Sequence, residues 1–235
     1  MSELLSVVVP VYNEVRTVRT VLDRLLSIDL PVPRELIVVD DGSTDGTGEM
    51  LVQAQRDGLD VTVIRAEHNR GKGAAIRRGM AEARGTILAI QDADLELDSQ
   101  QLRELVAPIL SGASDVVYGS RFLEGQAAGP WLSRTANRLL TQWTNVLYGS
   151  SLTDMETCYK VMRMNVARSL ELMSNRFDIE PEITAKLLRR GHRITELPVR
   201  FEPRSTAHGK KIKWRDGVAA VLVLVRLRVR GAWGE

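Results

Sequence analysis

Along the chain, short unbroken apolar runs alternate with longer stretches in which apolar residues recur every three or four positions. Ser6-Val7-Val8-Val9 reads as a buried strand, and Val15, Val18, Leu22, Leu25 and Leu26 follow at helical spacing. The pattern recurs, with strands predicted over residues 36–39, 61–64, 86–90 and 115–118 and helices starting near Thr44, Gly73 and Ser99. Strands apolar on both faces, joined by amphipathic helices, predict an α/β fold with a mostly parallel sheet and helices on both faces. Beyond residue 122 the alternation loosens. Residues 125–130 read as a loop, 133–147 as a helix, 157–163 as a strand, 180–190 as a helix ended by Gly191, 194–201 as a last strand and 214–230 as a terminal helix.

In sheets of this kind, ligands collect outside the carboxyl ends of the strands. The residues following each predicted strand are polar or turn-forming: Pro10-Val-Tyr12-Asn-Glu14, Asp40-Asp41-Gly-Ser-Thr-Asp-Gly46, Asn69-Arg-Gly-Lys72-Gly73, Asp92-Ala-Asp94-Leu-Glu96 and Gly119-Ser-Arg121. Asp92 and Asp94 put two hard oxygen ligands on one short turn, which suits Mg²⁺ or Mn²⁺ completing its shell with water and phosphate, and Glu96 offers a third oxygen. The same aspartates also serve as ordinary turn and cap residues. Asp40-Asp41-Gly-Ser-Thr reads as turn chemistry, with Ser43 or Thr44 capping the next helix. It reads equally as a carboxylate accepting N–H groups of a nucleobase while Pro10-Val-Tyr12 packs against the ring. Asn69-Arg-Gly-Lys-Gly lacks the spacing of an ATP-binding phosphate loop and is first a tight turn, from which Lys72 can reach a nucleotide.

Composition narrows the classes. With 44% hydrophobic and 26% charged residues in 235, the chain is globular, and its single cysteine, Cys158, excludes an internal disulfide framework. His68, His192 and His208 lack metal-ligand spacing. No signal peptide is legible after Met1, and the apolar run at 218–225 falls short of the ~20 residues a spanning helix needs, so a cytoplasmic location is expected. The net charge of +2 conceals a basic tail, with nine basic and two acidic residues between Arg200 and Arg230. Such a tail suits anionic lipid or a phosphate-bearing substrate. Nucleic acid is disfavoured, because aromatics are only 5% and no stacking platform is visible.

Taken in order, Val-Val-Pro-Val-Tyr-Asn-Glu, Val-Val-Asp-Asp-Gly-Ser-Thr-Asp-Gly, Asn-Arg-Gly-Lys-Gly-Ala-Ala, Asp-Ala-Asp-Leu and Gly-Ser-Arg-Phe resemble the family 2 glycosyltransferases over roughly residues 5 to 215. Within that family the chain is most similar to the dolichol- or polyprenol-phosphate mannosyl and glucosyl transferases. The resemblance implies a nucleotide-sugar-binding fold of the GT-A type, a divalent metal on the Asp-x-Asp and inversion at the anomeric carbon. Carried over by position, Pro10, Tyr12, Glu14, Asp40 and Asp41 hold the donor nucleoside. Asp92, Asp94 and Glu96 manage metal and pyrophosphate, although Glu96 stands where relatives often have Gln. Arg121, Ser133, Arg134 and Asn137 resemble the acceptor-phosphate stretch, and Asp154-Met-Glu-Thr-Cys-Tyr-Lys160 the family's Asp-x-x-x-Gly-Phe-Lys segment. Arg176, Arg204, Lys210 and Lys211 fall where relatives supply cations. The implied organisation is one 1–235 domain, with a nucleotide-sugar half (1–122), an acceptor half (123–213) and a basic amphipathic terminal helix and tail (214–235).

The acceptor decides what else the site needs. A sugar hydroxyl calls for a carboxylate base, for which Asp154 and Glu156 are candidates. A phosphate monoester is already anionic and needs only cations to orient it. Arg121, Ser133 and Arg134 are groups of the second kind, which favours a polyprenyl phosphate acceptor at a membrane surface or beside a membrane protein, and the resemblance implies GDP-mannose or UDP-glucose as the donor. A transferase using a soluble hydroxyl, a nucleotidyltransferase and a non-catalytic nucleotide-sugar binder are the alternatives.

Overall fold

The computed structural model describes residues 3–123, 131–203 and 214–230. Seven strands form one sheet: β1 (Leu5–Val11), β2 (Arg34–Asp40), β3 (Thr62–Arg65), β4 (Ile87–Ile90), β5 (Val116–Ser120), β6 (Lys160–Arg163) and β7 (Thr195–Pro198). Their order is β3-β2-β1-β4-β6-β5-β7, parallel throughout except for β6, which runs antiparallel to both neighbours. Chain order reverses beside β1, which pairs with β2 on one side and β4 on the other. In sheets of this kind the ligand crevice lies at such a switch point, outside the strands' carboxyl ends, and here the loops after β1, β2 and β4 end there.

Side-chain alternation along each strand feeds two cores. Val7, Val9, Leu36, Val38, Ile87 and Ala89 face one side, where α1 (Val18–Ser27), α2 (Thr47–Arg56) and α4 (Leu102–Leu110) cover them. Val8, Ile37, Val39, Leu88 and Ile90 face the other, under α3 (Lys72–Glu82), α6 (Met164–Ser169) and α7 (Ile179–Arg189). A smaller cluster of Met155, Ala185 and Leu224 seats α8 (Trp214–Arg230) against α7 and α5 (Trp131–Tyr148), and the Tyr148 hydroxyl donates to the Leu224 carbonyl at 2.7 Å.

The departures from the sequence expectation are local. Neither Ser43 nor Thr44 caps α2. Asp45 Oδ1 accepts the Thr47 N–H at 3.0 Å and the helix starts there, while Ser43 Oγ accepts the Asn13 N–H instead. The strand expected over 157–163 begins only at Lys160, and that over 194–201 is Thr195–Pro198 with an isolated bridge from Phe201 to Leu97. The expected helix starts and strands elsewhere hold to within a few residues, and α6 was not foreseen.

Close packing of α3 on the sheet depends on Gly79, where a Cβ would lie 2.5 Å from Val8 Cγ1 in the fully buried core. Gly79→Ala is expected to destabilise the protein by about 1–3 kcal/mol through overpacking. Gly217→Ala, on α8 with nothing among the described residues within 4 Å of the new methyl, is expected to gain up to about 1 kcal/mol of helix propensity. Urea unfolding of the two variants beside the parent checks both signs.

Candidate active site

Two loops at the switch point are stitched together by their own polar groups. Asn13, with φ +52°, accepts the Thr44 N–H through Oδ1 at 2.9 Å, and the Glu14 N–H donates to Thr47 Oγ1 at 2.9 Å. Pro10, Tyr12 and Glu14 are thereby placed, partly exposed, at the end of β1 next to Asp40 at the end of β2.

The two neighbouring aspartates divide their work. Asp41 accepts the backbone N–H of Arg70 at 3.0 Å and of Gly71 at 2.7 Å, so it latches the turn that leads into α3. Burial raises its pKa, and those two N–H groups pull the other way. Gly71 belongs in that turn because its φ is +101° and a Cβ would lie 2.5 Å from the Asn175 carbonyl. Asp40 takes the Ser43 N–H on Oδ1 at 2.9 Å. Its Oδ2 lies 3.4 Å from Arg65 Nε, is buried and has no hydrogen-bond partner among the described residues. Of the two carboxylates expected to meet a base, Asp40 retains acceptor capacity and Asp41 is committed to the fold.

The latch delivers Lys72, the first residue of α3, into the crevice. Its ammonium lies 2.8 and 3.0 Å from the two oxygens of Asp92 and 2.9 Å from Glu180 Oε1. Burial alone would lower the Lys72 pKa, but the two carboxylates outweigh it and raise it. Burial correspondingly works to raise Asp92, and Lys72 overcomes it and holds the carboxyl below its ordinary value. Two residues on, Asp94 Oδ1 accepts the Glu96 N–H at 3.3 Å.

The chemistry of Asp92 and Asp94, partly exposed carboxylates on one turn, fits a hard divalent cation that takes one or two protein oxygens. The expected triad with Glu96 is not preassembled. Among the described residues, no three His, Cys, Asp or Glu side chains converge as a metal cluster, since Asp92 is turned onto Lys72.

On the other side of the crevice, Arg121 follows β5 and clamps Asp154. Nε to Oδ2 is 2.7 Å and Nη2 to Oδ1 is 2.8 Å, and the Arg121 N–H adds 3.0 Å to Oδ2. Asn137 of α5 donates to the same carboxylate at 3.2 Å. The guanidinium sits 5.7 Å from the Phe122 ring and 5.3 Å from that of Phe201. Burial lowers the pKa of Arg121, and Asp154 more than restores it, so the net shift is upward. Asp154 is fully buried with both oxygens taken, which leaves it poorly suited to accept a substrate proton.

One turn before Asn137, α5 carries Ser133 and Arg134, and Arg134 Nε is buried without a hydrogen-bond partner among the described residues. Arg176 lies exposed beside the Gly71 turn. Arg204, Lys210 and Lys211 lie outside the described residues.

The chain is similar in sequence and in fold to known proteins. The family model described as glycosyl transferase family 2 matches residues 6–170, which is most of the chain. The chain belongs to glycosyl transferase family 2. Its curated relatives include the glycosyltransferase AglD of Haloferax volcanii, 30% identical over 85% of this chain and 33% of that protein. The dodecaprenyl-phosphate galacturonate synthase of Rhizobium johnstonii is 29% identical over 87% and 60%, and the undecaprenyl-phosphate mannosyltransferase of Micrococcus luteus 29% over 92% and 90%. The chain thus spans a third to three-fifths of the first two relatives and nearly all of the third. A solved structure of glucosyl-3-phosphoglycerate synthase from Mycobacterium tuberculosis with uridine diphosphate superposes with a TM-score of 0.75 at 20% identity, covering 97% of this chain and 80% of that one. Further crystals of that synthase contain Mn²⁺ with UDP-glucose and phosphoglyceric acid. The likeness shows that the chain has the GT-A type of fold.

Sequence reasoning passed over Glu180 and Lys160 as site residues. Glu180 read only as the start of a helix and Lys160 as the end of a motif, and both are buried within reach of Lys72 or of each other. The nearby Glu156 has Oε1 buried without a hydrogen-bond partner among the described residues. Burial and then the Glu180 charge raise its pKa to about 7. An acid whose folded pKa is raised binds more protons folded than unfolded between about pH 4.5 and 7, so the stability it supports falls as pH rises through that window. Glu156→Gln is therefore expected to flatten the decline and to be more stable than the parent at pH 8, by roughly 1–3 kcal/mol. Thermal or urea unfolding between pH 4.5 and 8 measures it; a variant as pH-dependent as the parent would show that Glu156 does not carry the effect.

Proposed function

We propose that this transferase moves a hexose, mannose or glucose, from a nucleotide diphosphate sugar such as GDP-mannose or UDP-glucose to a polyprenyl phosphate, with inversion at the anomeric carbon. The observation that carries the reading is the state of the acceptor-side charges. Asp154, the buried carboxylate there, is saturated by Arg121 and Asn137, whereas Arg134 keeps a buried guanidinium nitrogen without a hydrogen-bond partner among the described residues. A wall with an uncommitted cation and a committed carboxylate suits an anion that needs orienting, not a hydroxyl that needs a base.

On this reading Pro10, Tyr12 and Glu14 shape the nucleoside pocket and Asp40 Oδ2 accepts an N–H of the base. Asp92 and Asp94, with Glu96 beside them, would hold Mg²⁺ or Mn²⁺. That cation supplies charge neutralisation for the departing diphosphate. Lys72, already aligned on Asp92, adds a fixed positive charge to the same region, and Arg176 a further one at its rim. Arg134, Ser133 and the Arg121 platform orient the acceptor phosphate. One of its oxygens attacks the anomeric carbon as the bond from that carbon to the diphosphate oxygen breaks, and the electron pair leaves with the nucleoside diphosphate. No proton need be removed, because a phosphate monoester is largely doubly ionised above a second pKa of about 6.

The faces of α5 and α8 support a lipid-bearing acceptor. No helix among the described residues is long and apolar enough to cross a membrane. Trp131, Leu139, Trp143 and Val146 on α5 and Val218, Leu222 and Val229 on α8 are nevertheless exposed, with Arg226 and Arg228 exposed beside the latter. Adjacent apolar stripes with a basic margin suit the surface of an anionic bilayer, where the protein would sit peripherally on the cytoplasmic face. The relatives named for dodecaprenyl and undecaprenyl phosphate point the same way.

Incubation with radiolabelled GDP-mannose or UDP-glucose, Mg²⁺ or Mn²⁺, and a polyprenyl phosphate is expected to move label into the organic phase, and Asp94→Ala to abolish it. Arg134→Ala is expected to raise the acceptor KM roughly ten- to a hundredfold, the value of a hydrogen bond to a charged group, while leaving donor affinity near that of the parent. Label appearing only in water-soluble product would instead favour transfer to a soluble acceptor.

A further inference from the structure

Beneath the crevice four charged side chains form a line of alternating sign. Asp92 meets Lys72, Lys72 meets Glu180 Oε1 at 2.9 Å, and Glu180 Oε2 meets Lys160 at 2.5 Å. Glu180, in the first turn of α7, is 3% exposed, and Lys160 is fully buried. Lys160 is held in addition by the carbonyls of Met155 and Thr157 and lies 4.7 Å from the Tyr118 ring centroid, so its position is fixed from several sides. Lys72 is held by its two carboxylates, and its approach to Glu180 Oε1 is too poorly aligned to count as a hydrogen bond. Of the two lysines it has the fewer fixed contacts.

We propose that Glu180 is a positioning residue for Asp92, acting through Lys72, and that Lys160 sets how strongly it does so. The inference rests on the metal-assisted reading of the site given above. A divalent cation arriving at Asp92 must loosen the grip of Lys72, and the ammonium then needs another carboxylate nearby, because an unpaired charge at this depth is costly. Glu180 is that carboxylate. Lys160 competes for the same group, so the two lysines share one counter-charge. Taking Glu180 away leaves Lys72 to Asp92 alone and weakens the cation. Taking Lys160 away leaves Glu180 wholly to Lys72, draws the ammonium off Asp92 and strengthens the cation. A purely structural role would not give opposite signs.

The test is Mn²⁺ binding, followed by the electron paramagnetic resonance signal of the free ion, with Mn²⁺ alone and with Mn²⁺ plus UDP or GDP. Glu180→Gln combined with Lys160→Met keeps the buried charge balanced. It is expected to weaken Mn²⁺ roughly tenfold or more, within the range known for groups that orient metal ligands. Lys160→Met alone is expected to tighten Mn²⁺ several-fold on the same scale. Should the double variant unfold by circular dichroism, Glu180→Asp, which keeps both charges and withdraws the carboxylate, is expected to weaken Mn²⁺ in the same sense. Glu182→Gln serves as control: that buried carboxylate pairs with Lys186 and accepts the N–H groups of Met173 and Ser174, so its loss should lower Tm and leave Mn²⁺ affinity unmoved. Equal affinities throughout, shifts of one sign in both test variants, or a Glu182→Gln loss as large as that of the double variant would overturn the role of Glu180. Failure of the parent to bind Mn²⁺ even with the nucleotide would overturn the metal-assisted reading, and this inference with it.

Discussion

The contact between Lys72 and Asp92, 2.8 and 3.0 Å long at the sheet's switch point, ties the fold to its chemistry. Asp92 follows β4 and Lys72 starts α3, so the backbones of both are set by elements that form or cover the core, while the ammonium stands between two carboxylates. The helix start is itself held from behind by Asp41, which accepts the two N–H groups of the preceding turn. A carboxylate turned onto a lysine in this way is held ionised, which is the condition for meeting a cation without first losing a proton.

Across the crevice the same economy recurs with the signs exchanged. Arg121 is pinned by Asp154, and the Phe122 and Phe201 rings flank it. What the pair leaves over is Arg134, one turn along α5 from the asparagine that completes the clamp. The two halves of the site therefore differ in kind. On the function proposed above, the first half would be the donor side, with oxygen ligands and a lysine among them, and the second the acceptor side, with arginines beside aromatic rings. That asymmetry would suit the proposed reaction, in which one phosphate group departs and another arrives.

Much of this was legible in the sequence because parallel strands buried on both faces read as unbroken apolar runs, and the helices between them read as periodic ones. The pattern located the loops at the carboxyl ends, and with them Asp40, Lys72, Asp92, Asp94 and Arg121. It carries no strand direction, so the antiparallel course of β6 was not readable. Nor could it tell Asp40 from Asp41, since the division of labour depends on which carboxylate faces the N–H groups of a loop some thirty residues away. Glu180 and Lys160 were missed for the same reason. A charge beside Ile179 in a helical pattern looks solvated until the neighbouring helix and strand are in place to bury and pair it.

The account stands most directly on where a divalent ion settles. A crystal of the protein soaked with Mn²⁺ and UDP or GDP, with anomalous scattering recorded at the manganese edge, is expected to show the ion bound by Asp94 and reached by Asp92, bridging to the diphosphate, with Lys72 moved toward Glu180. An anomalous peak elsewhere, or a nucleotide bound with both aspartates turned from its phosphates, would contradict it.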